Sequence, residues 1–351
     1  MANGNTNFDA LLTTTLHNYV SKKLEDNIFS QTPALNAIRA KGGVGTKGGD
    51  KLVMPLLYGT NTTVQTMTPY GVFDTTPQEG ITAAEYQWAN LGGTVVLDNF
   101  TIDVENAGES KVIDLLEAKI NQLEMSMIKE LNDQLWGNRS EAYALWGLDD
   151  IVRTADTANT FIDPTYTSDG TGLGNISIAS GENTWWRTNS YVANDQTSAP
   201  DSSKPAGLTE NDATLNVANM NHIYNMCSNG SDTPNLIIMP MQLYEKFESI
   251  LILTNRAGPD KALYDAGIEH LRLKNASVIF DPSASYSSGG SVYFLNTKYL
   301  KFFTCTGRNM QSTPFQTPHN QDVRVSKIIW SGQLGCSNRM RQGCWHDVTN
   351  T

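Results

Sequence analysis

One long helical pattern constrains this chain more than any other feature. Asn106 and Glu109 form a pair with capping-box spacing, Asn standing in for Ser or Thr, and Gly137 supplies the stop. Between them Val112, Leu116, Ile120, Leu123, Met127, Leu131 and Leu135 recur every three or four residues as one apolar stripe, widened by Leu115, Ile128 and Trp136. About 30 residues at 1.5 Å each make a rod of roughly 45 Å. That is far beyond the usual three turns, although an ordinary core helix would satisfy the same pattern.

Upstream, residues 8–30 place Leu12, Leu16, Tyr19, Val20 and Leu24 at helical spacing, and Leu35 and Ile38 follow Pro33. This helical arm is too thin to make a core alone, so its apolar side must lie on another part of the chain or on a neighbour. The glycines from Gly42 to Gly49 are expected to break regularity as a flexible hinge. Lys51 to Tyr58 then reads as a strand that Pro55 confines to an edge or bulge. A second extended stretch, Ile81 to Ile102, is expected to be interrupted at Gly92-Gly93. The connection between the two, Gly59 to Gly80, carries Tyr70 and Phe73 and at about 20 residues is too long for a hairpin turn. Projection onto a neighbour would account for it.

Downstream, Gly147 to Gly207 is polar and turn-rich, anchored by Trp185 and Trp186. Helices are expected over Thr214–Cys227 and Met241–Leu253. Strands are expected over Asn235–Met239, Ala276–Phe280, Ser291–Leu295 and Tyr299–Thr304. Val323 to Trp345 reads as one long β-ribbon broken by glycines.

A chain of 351 residues is one large or two modest domains. Asn and Thr supply about a fifth of it, which favours strands, turns and ordered loops. The net charge of −11 repels phosphate, so specific nucleic-acid recognition is not expected, though a protein wall around DNA is compatible with it. Cys227, Cys305, Cys336 and Cys344 lack metal or redox spacing and read as buried free thiols. No apolar run approaches the ~20 residues of a membrane span, and the first residues lack the charge and apolar pattern of a secretion signal, so a cytoplasmic origin is expected.

The chemistry-bearing patterns are weak. Gly43 to Gly48 matches G-x-G-x-x-G, but the strand should precede it and the helix follow, and here that order is reversed. The histidines His17, His222, His270, His319 and His346 are scattered, and the pairs Asp149-Asp150 and Glu105 with Glu109 read as a turn and a helix start. No catalytic residue, metal or cofactor is expected.

The order of parts, an arm, a glycine segment, a two-stranded excursion, a capped helix, an α/β region and terminal strands, resembles the Hong Kong 97-like fold of tailed-phage major capsid proteins. The residues that carry the resemblance are Ser30 to Leu35, Lys51 to Gly59, Ala107-Gly108-Glu109, Leu131 to Trp136 and Gly147-Leu148. It implies an α+β subunit with an N-terminal arm at 1–45, an extended β loop with flanking strands at 46–103 and a peripheral-domain spine helix at 104–140. An axial α/β domain at 141–315 and a C-terminal β-ribbon at 316–351, returning to the peripheral domain, would complete it. Such a subunit would build pentamers and hexamers of a virion capsid assembled in the host cytoplasm. Its partners would be its own copies, a separate scaffolding protein, a portal, a decoration protein in some shells, and DNA contacted non-specifically. Leu12, Leu16, Tyr70 and Phe73 would make the intersubunit contacts. Two alternatives stay open: an encapsulin-like compartment shell, and a secreted glycan-binding protein that would use exposed tryptophans.

Overall fold

The computed structural model describes residues 32–99, 115–137, 139, 141, 143–152, 172–176, 183–192, 214–254, 271–284, 286 and 289–349. The first elements are helix α1 (Pro33–Gly42) and strands β1 (Val44–Lys47), β2 (Lys51–Leu57), β3 (Ile81–Gln87) and β4 (Ala89–Asp98). Helices α2 (Leu115–Trp136) and α3 (Leu148–Val152) follow, then β5 (Asn189–Val192), α4 (Val217–Cys227), β6 (Leu236–Met239) and α5 (Met241–Thr254). The chain continues through β7 (Leu271–Leu273), β8 (Ala276–Phe280), β9 (Gly290–Leu295) and β10 (Leu300–Cys305). It ends with β11 (Gln311–Ser312), β12 (Val323–Cys336) and β13 (Gly343–Val348).

These strands make three sheets. Strand β12 pairs antiparallel with β4 on one side and with β10 and β11 on the other, and β1 adds parallel to β10. The second sheet runs β5-β13-β9-β6-β8-β7, and β2 with β3 forms a separate hairpin. Strand β6 is buried along its whole length. Leu236 and Ile238 face the core shared by α1, α2 and the hairpin, whereas Ile237 and Met239 face the core under α4 and α5. A short run of four apolar residues is what a strand covered on both faces requires.

Several expectations need correction. Gly42 to Gly49 is no hinge throughout, since Val44–Lys47 is a paired strand. Gly45 is small because a Cβ there would stand 2.6 Å from the Phe303 ring. Gly92-Gly93 does not interrupt its strand either, for β4 pairs through both with Ile329 and Ile328. A Cβ on Gly93 would overlap Leu123, so the glycine lets α2 lie close on the sheet. The real break is at Trp88, where the chain passes from the hairpin to the five-stranded sheet.

Residues 33–42 belong to the core, not to a free arm, because Ala34, Leu35, Ala37 and Ile38 are buried against β10, β8 and β6. The expected terminal ribbon splits: β12 joins the five-stranded sheet and β13 the six-stranded one. For the same reason the region 141–315 does not coincide with one sheet, as β10 and β11 pair with β12.

Helix α2 buries Met127, Leu131 and Leu135, half-buries Ile120 and Leu123, and leaves Ile128 42% exposed, so Ile128 lies outside the core stripe. Its end at Gly137 is as expected, with the Gly137 N–H on the Asp133 carbonyl at 3.0 Å. The cap pair at Asn106 and Glu109 falls outside the described residues.

Candidate assembly surface

The hairpin is amphipathic by strand alternation. Leu52, Met54 and Leu56 of β2, with Ala84 and Tyr86 of β3, face the core; Val53, Leu57 and Ile81 face out. Pro55 is tolerated because β2 has a partner on one side only. The hairpin is tied to the far end of the chain by Tyr86, whose hydroxyl donates to the Cys336 carbonyl at 2.7 Å and accepts from the Cys336 N–H at 3.3 Å.

Beyond Leu57 the chain leaves the sheet and returns at Ile81. The neck of this excursion is closed: the N–H groups of Tyr58 and Gly59 both reach the Gly80 carbonyl, at 2.9 and 3.3 Å. The two neck glycines abut, since a Cβ on Gly59 would stand 3.0 Å from the Gly80 Cα. Tyr58 stacks on Trp185 with ring centroids 5.0 Å apart, which fixes the root of the loop. Within the loop, Asn61 and Asp74 each accept from the N–H and hydroxyl of the threonine two residues on, and the Thr62 hydroxyl donates to Gln78 at 2.7 Å. The Thr76 hydroxyl and N–H hold the Asp74 carboxyl below its usual range, so it is charged at neutral pH.

This ordered loop presents apolar groups to solvent. Tyr70 is 98% exposed and Phe73 75%, and Val64 and Val72 are as bare. Leu57 and Ile81, directly opposite at the outer end of the hairpin, are 79% and 77% exposed. Tyr70 and Phe73 therefore share one loop, whereas Leu12 and Leu16 lie outside the described residues. The sequence reading missed Val64, Val72, Leu57 and Ile81. Strand alternation about Leu52, Met54 and Leu56 would have pointed to Leu57. An ordered apolar surface of this kind marks an interaction site.

The interior brings together groups that sequence spacing kept apart. The Ser291 hydroxyl lies 2.9 Å from His346 Nδ1, with Cys344 Sγ 3.6 Å from the same nitrogen. His346 and Cys344 are buried, and Ser291 is half-buried. Asp149 and Asp150 lie in the first turn of α3 and not in the plain turn expected of them. Asp149 accepts from the Tyr293 hydroxyl, and Asp150 Oδ2 accepts from the backbone N–H groups of Arg139 at 2.7 Å and Gly147 at 3.3 Å. Burial pushes the Asp150 carboxyl up to about 6, against those two hydrogen bonds. Among the described residues no three His, Cys, Asp or Glu side chains gather as a metal site, and no helix is long and apolar enough to cross a membrane. Cys227, Cys336 and Cys344 are buried thiols outside any disulfide, as expected, and Cys305 is half-buried. All seven tryptophans are buried or half-buried, which removes the exposed rings that a glycan-binding surface would use.

No family model matches the chain, and no curated protein matches it in sequence. Solved structures do. A chain of the cyanophage A-1(L) capsid asymmetric unit is similar over 95% of this chain and 97% of its own, with TM-score 0.66 and 14% identity. The native GTA particle capsid follows over 94% and 95%, with TM-score 0.58 and 10% identity. The SrpI encapsulin of Synechococcus elongatus PCC 7942 is similar over 100% and 98%, with TM-score 0.58 and 8% identity. The chain thus has the α+β, Hong Kong 97-like fold of tailed-phage capsid subunits.

Proposed function

We propose that this chain is the major capsid protein of a tailed bacteriophage, assembling with its own copies into the pentamers and hexamers of an icosahedral head around double-stranded DNA. One observation carries the reading within this fold. The loop of residues 59–80 is closed at its neck and ordered inside, yet Tyr70, Val72 and Phe73 have no cover from the described residues of their own chain. A neighbouring copy supplies that cover. Each interface can then be modest, because the shell adds many of them.

In this reading the hairpin and its loop are the extended loop, and residues 1–31 are the arm that clasps a neighbour through Leu12 and Leu16. Helix α2 is the spine of a peripheral domain built on the five-stranded sheet. The six-stranded sheet with α4 and α5 is the axial body gathered around five-fold and six-fold axes. A separate scaffolding protein, a portal and a decoration protein are the proposed partners during head assembly, and the acidic surface leaves DNA contacted without sequence preference.

The full-length likeness to SrpI supports a second reading, a compartment shell whose contents are protein. Expression of the full chain, alone and with any scaffold encoded beside its gene, followed by light scattering and negative-stain microscopy, tests both. Shells, tubes, pentamers or hexamers are expected, with nuclease-protected DNA in infected cells for a phage head and copurifying enzyme for a compartment. A well-folded monomer that persists under both conditions overturns the assembly reading.

A further inference from the structure

The connection between α4 and β6 folds back on itself at Asn229-Gly230-Ser231-Asp232. The Asn229 N–H donates to the Asp232 carbonyl at 2.9 Å and the Asp232 N–H to the Asn229 carbonyl at 3.1 Å, which makes a tight two-residue hairpin. Gly230 stands at its first corner with φ of 60°, the left-handed backbone that favours glycine there. Asn229, Gly230 and Ser231 are exposed, and a Cβ on Gly230 would meet nothing within 4 Å. The chain has one other Asn-Gly pair, Asn3-Gly4, which lies outside the described residues.

In an Asn-Gly pair the main-chain nitrogen has its least hindered path to the preceding carboxamide carbon, because glycine has no side chain to block the approach. Both reacting groups are idle here: neither the Asn229 carboxamide nor the Gly230 N–H makes a hydrogen bond among the described residues. Asp232, at the other side of the turn, is fully engaged. Its carboxylate takes Lys298 Nζ at 2.7 Å and the Tyr299 hydroxyl at 2.6 Å, and these two bonds hold it below the usual carboxylate range.

We propose that Asn229 is a self-modification site, converting to aspartate and isoaspartate within the folded chain. The Gly230 nitrogen adds to the Asn229 side-chain carbonyl carbon, the bond from that carbon to Nδ2 breaks, and ammonia leaves with the Gly230 proton, closing a succinimide ring. Water then opens the ring. Attack at the side-chain carbonyl gives aspartate, and attack at the main-chain carbonyl gives isoaspartate. In sum one water is consumed and one ammonia released, with no change of oxidation state. Isoaspartate lengthens the main chain by a methylene, so the paired hydrogen bonds of Asn229 and Asp232 no longer align. Either product sets a second carboxylate beside Asp232, whose partners Lys298 and Tyr299 are already taken. The chemistry belongs to the single chain. Its consequence rests on the shell reading, in which copies of net charge −11 each gain one more negative charge.

The full-length chain, in whichever state it is purified, is incubated in mildly alkaline buffer made with heavy-oxygen water, beside the same chain unfolded in guanidinium chloride. Peptide mass spectrometry locates the label, and isoaspartyl methyltransferase counts the isoaspartate. Parting a turn held by two backbone hydrogen bonds should slow the reaction about thirtyfold relative to the unfolded chain. Waiting for global unfolding would slow it about a thousandfold or more. One heavy oxygen at residue 229, acquired within about a hundredfold of the unfolded rate, is therefore expected. Asn229→Gln should lose that label, since its ring needs one more atom. Slower labelling of the folded chain, or labelling only in denaturant, overturns the site. A chain that labels at residue 229 but never builds shells leaves the site standing and strikes the shell reading alone.

Discussion

The carboxylate of Asp281, at the end of β8, accepts a hydrogen bond from the backbone N–H of Ala34 at 3.0 Å, across 247 positions of sequence. Ala34 is in the first turn of α1, where helical N–H groups have no partner of their own and Pro33 brings none. Thr32, the residue in the capping position, makes no side-chain bond, so a distant carboxylate does the work of a local cap. The other oxygen of Asp281 takes the Ser283 N–H at 2.8 Å.

Asp281→Ala is therefore expected to strand two N–H groups and cost about 2–6 kcal/mol, each stranded buried donor costing about 1–3. Urea unfolding of unassembled subunits measures it. Asp281→Asn, which keeps one acceptor oxygen, should lie between Ala and the unaltered chain; equality of all three would mean that α1 is held by its apolar face alone.

Asp150 gives a pH signature. Its folded carboxyl titrates at about 6 against an ordinary value of 3.8, because burial penalises the charge. The folded state then holds a proton that the unfolded chain has lost, so the stabilisation is complete below pH 4 and disappears as pH rises through 6. Asp281 is shifted in the same direction by burial, so the difference between variants isolates Asp150. Asp150→Asn keeps an oxygen for the Arg139 and Gly147 N–H groups, which both use Oδ2. Denaturant melts at pH 5 and pH 7.5 should show a smaller pH dependence for the variant, by about 1.4 kcal/mol. An unchanged dependence would assign the proton elsewhere.

The long helix separates folding from assembly. Leu135 is fully buried and Ile128 is 42% exposed, although both fitted one apolar pattern in the sequence. Leu135→Ala should cost about 2–5 kcal/mol in the isolated subunit, and Ile128→Ala should stay within about 0.5. Ile120, half-buried, should fall between. An isolated subunit destabilised as much by Ile128→Ala as by Leu135→Ala would contradict the helix orientation on β4.

How far the sequence could be read follows from the range of each interaction. Strands β8 and β9 and helices α4 and α5 were legible because their apolar periods and breaks are local; even the cap of α4 is, with Asn216 accepting from the Asn219 N–H at 2.9 Å. Sheet membership was not. Tyr86 meets Cys336 across 250 positions, and nothing in the residues 316–351 announces that β12 and β13 belong to different sheets. Gly45 and Gly93 misled for a related reason. They read as breaks, but their smallness serves Phe303 and Leu123, residues far along the chain. The exposed loop was legible at Tyr70 and Phe73 because a long connection without periodicity has no core to bury them in.

The neck of that loop supplies the last test. Gly59 faces the Gly80 Cα at 3.0 Å and the Glu79 carbonyl oxygen at 3.1 Å from where its Cβ would be, so the obstacle is backbone and cannot rotate away. Gly59→Val must therefore part the two strands of the neck and loosen the Tyr58 and Gly59 hydrogen bonds to the Gly80 carbonyl. The hairpin below stays anchored through Tyr86 and the buried Leu52, Met54 and Leu56. The subunit should keep its circular dichroism and lose less than about 1 kcal/mol, as expected for a surface position. Its loop should become a faster target for limited proteolysis between Gly59 and Gly80, and its shells should be fewer or irregular by electron microscopy. Normal shells with a cleavable loop would show that the neck need not be preformed and that the neighbouring subunit orders the loop on contact.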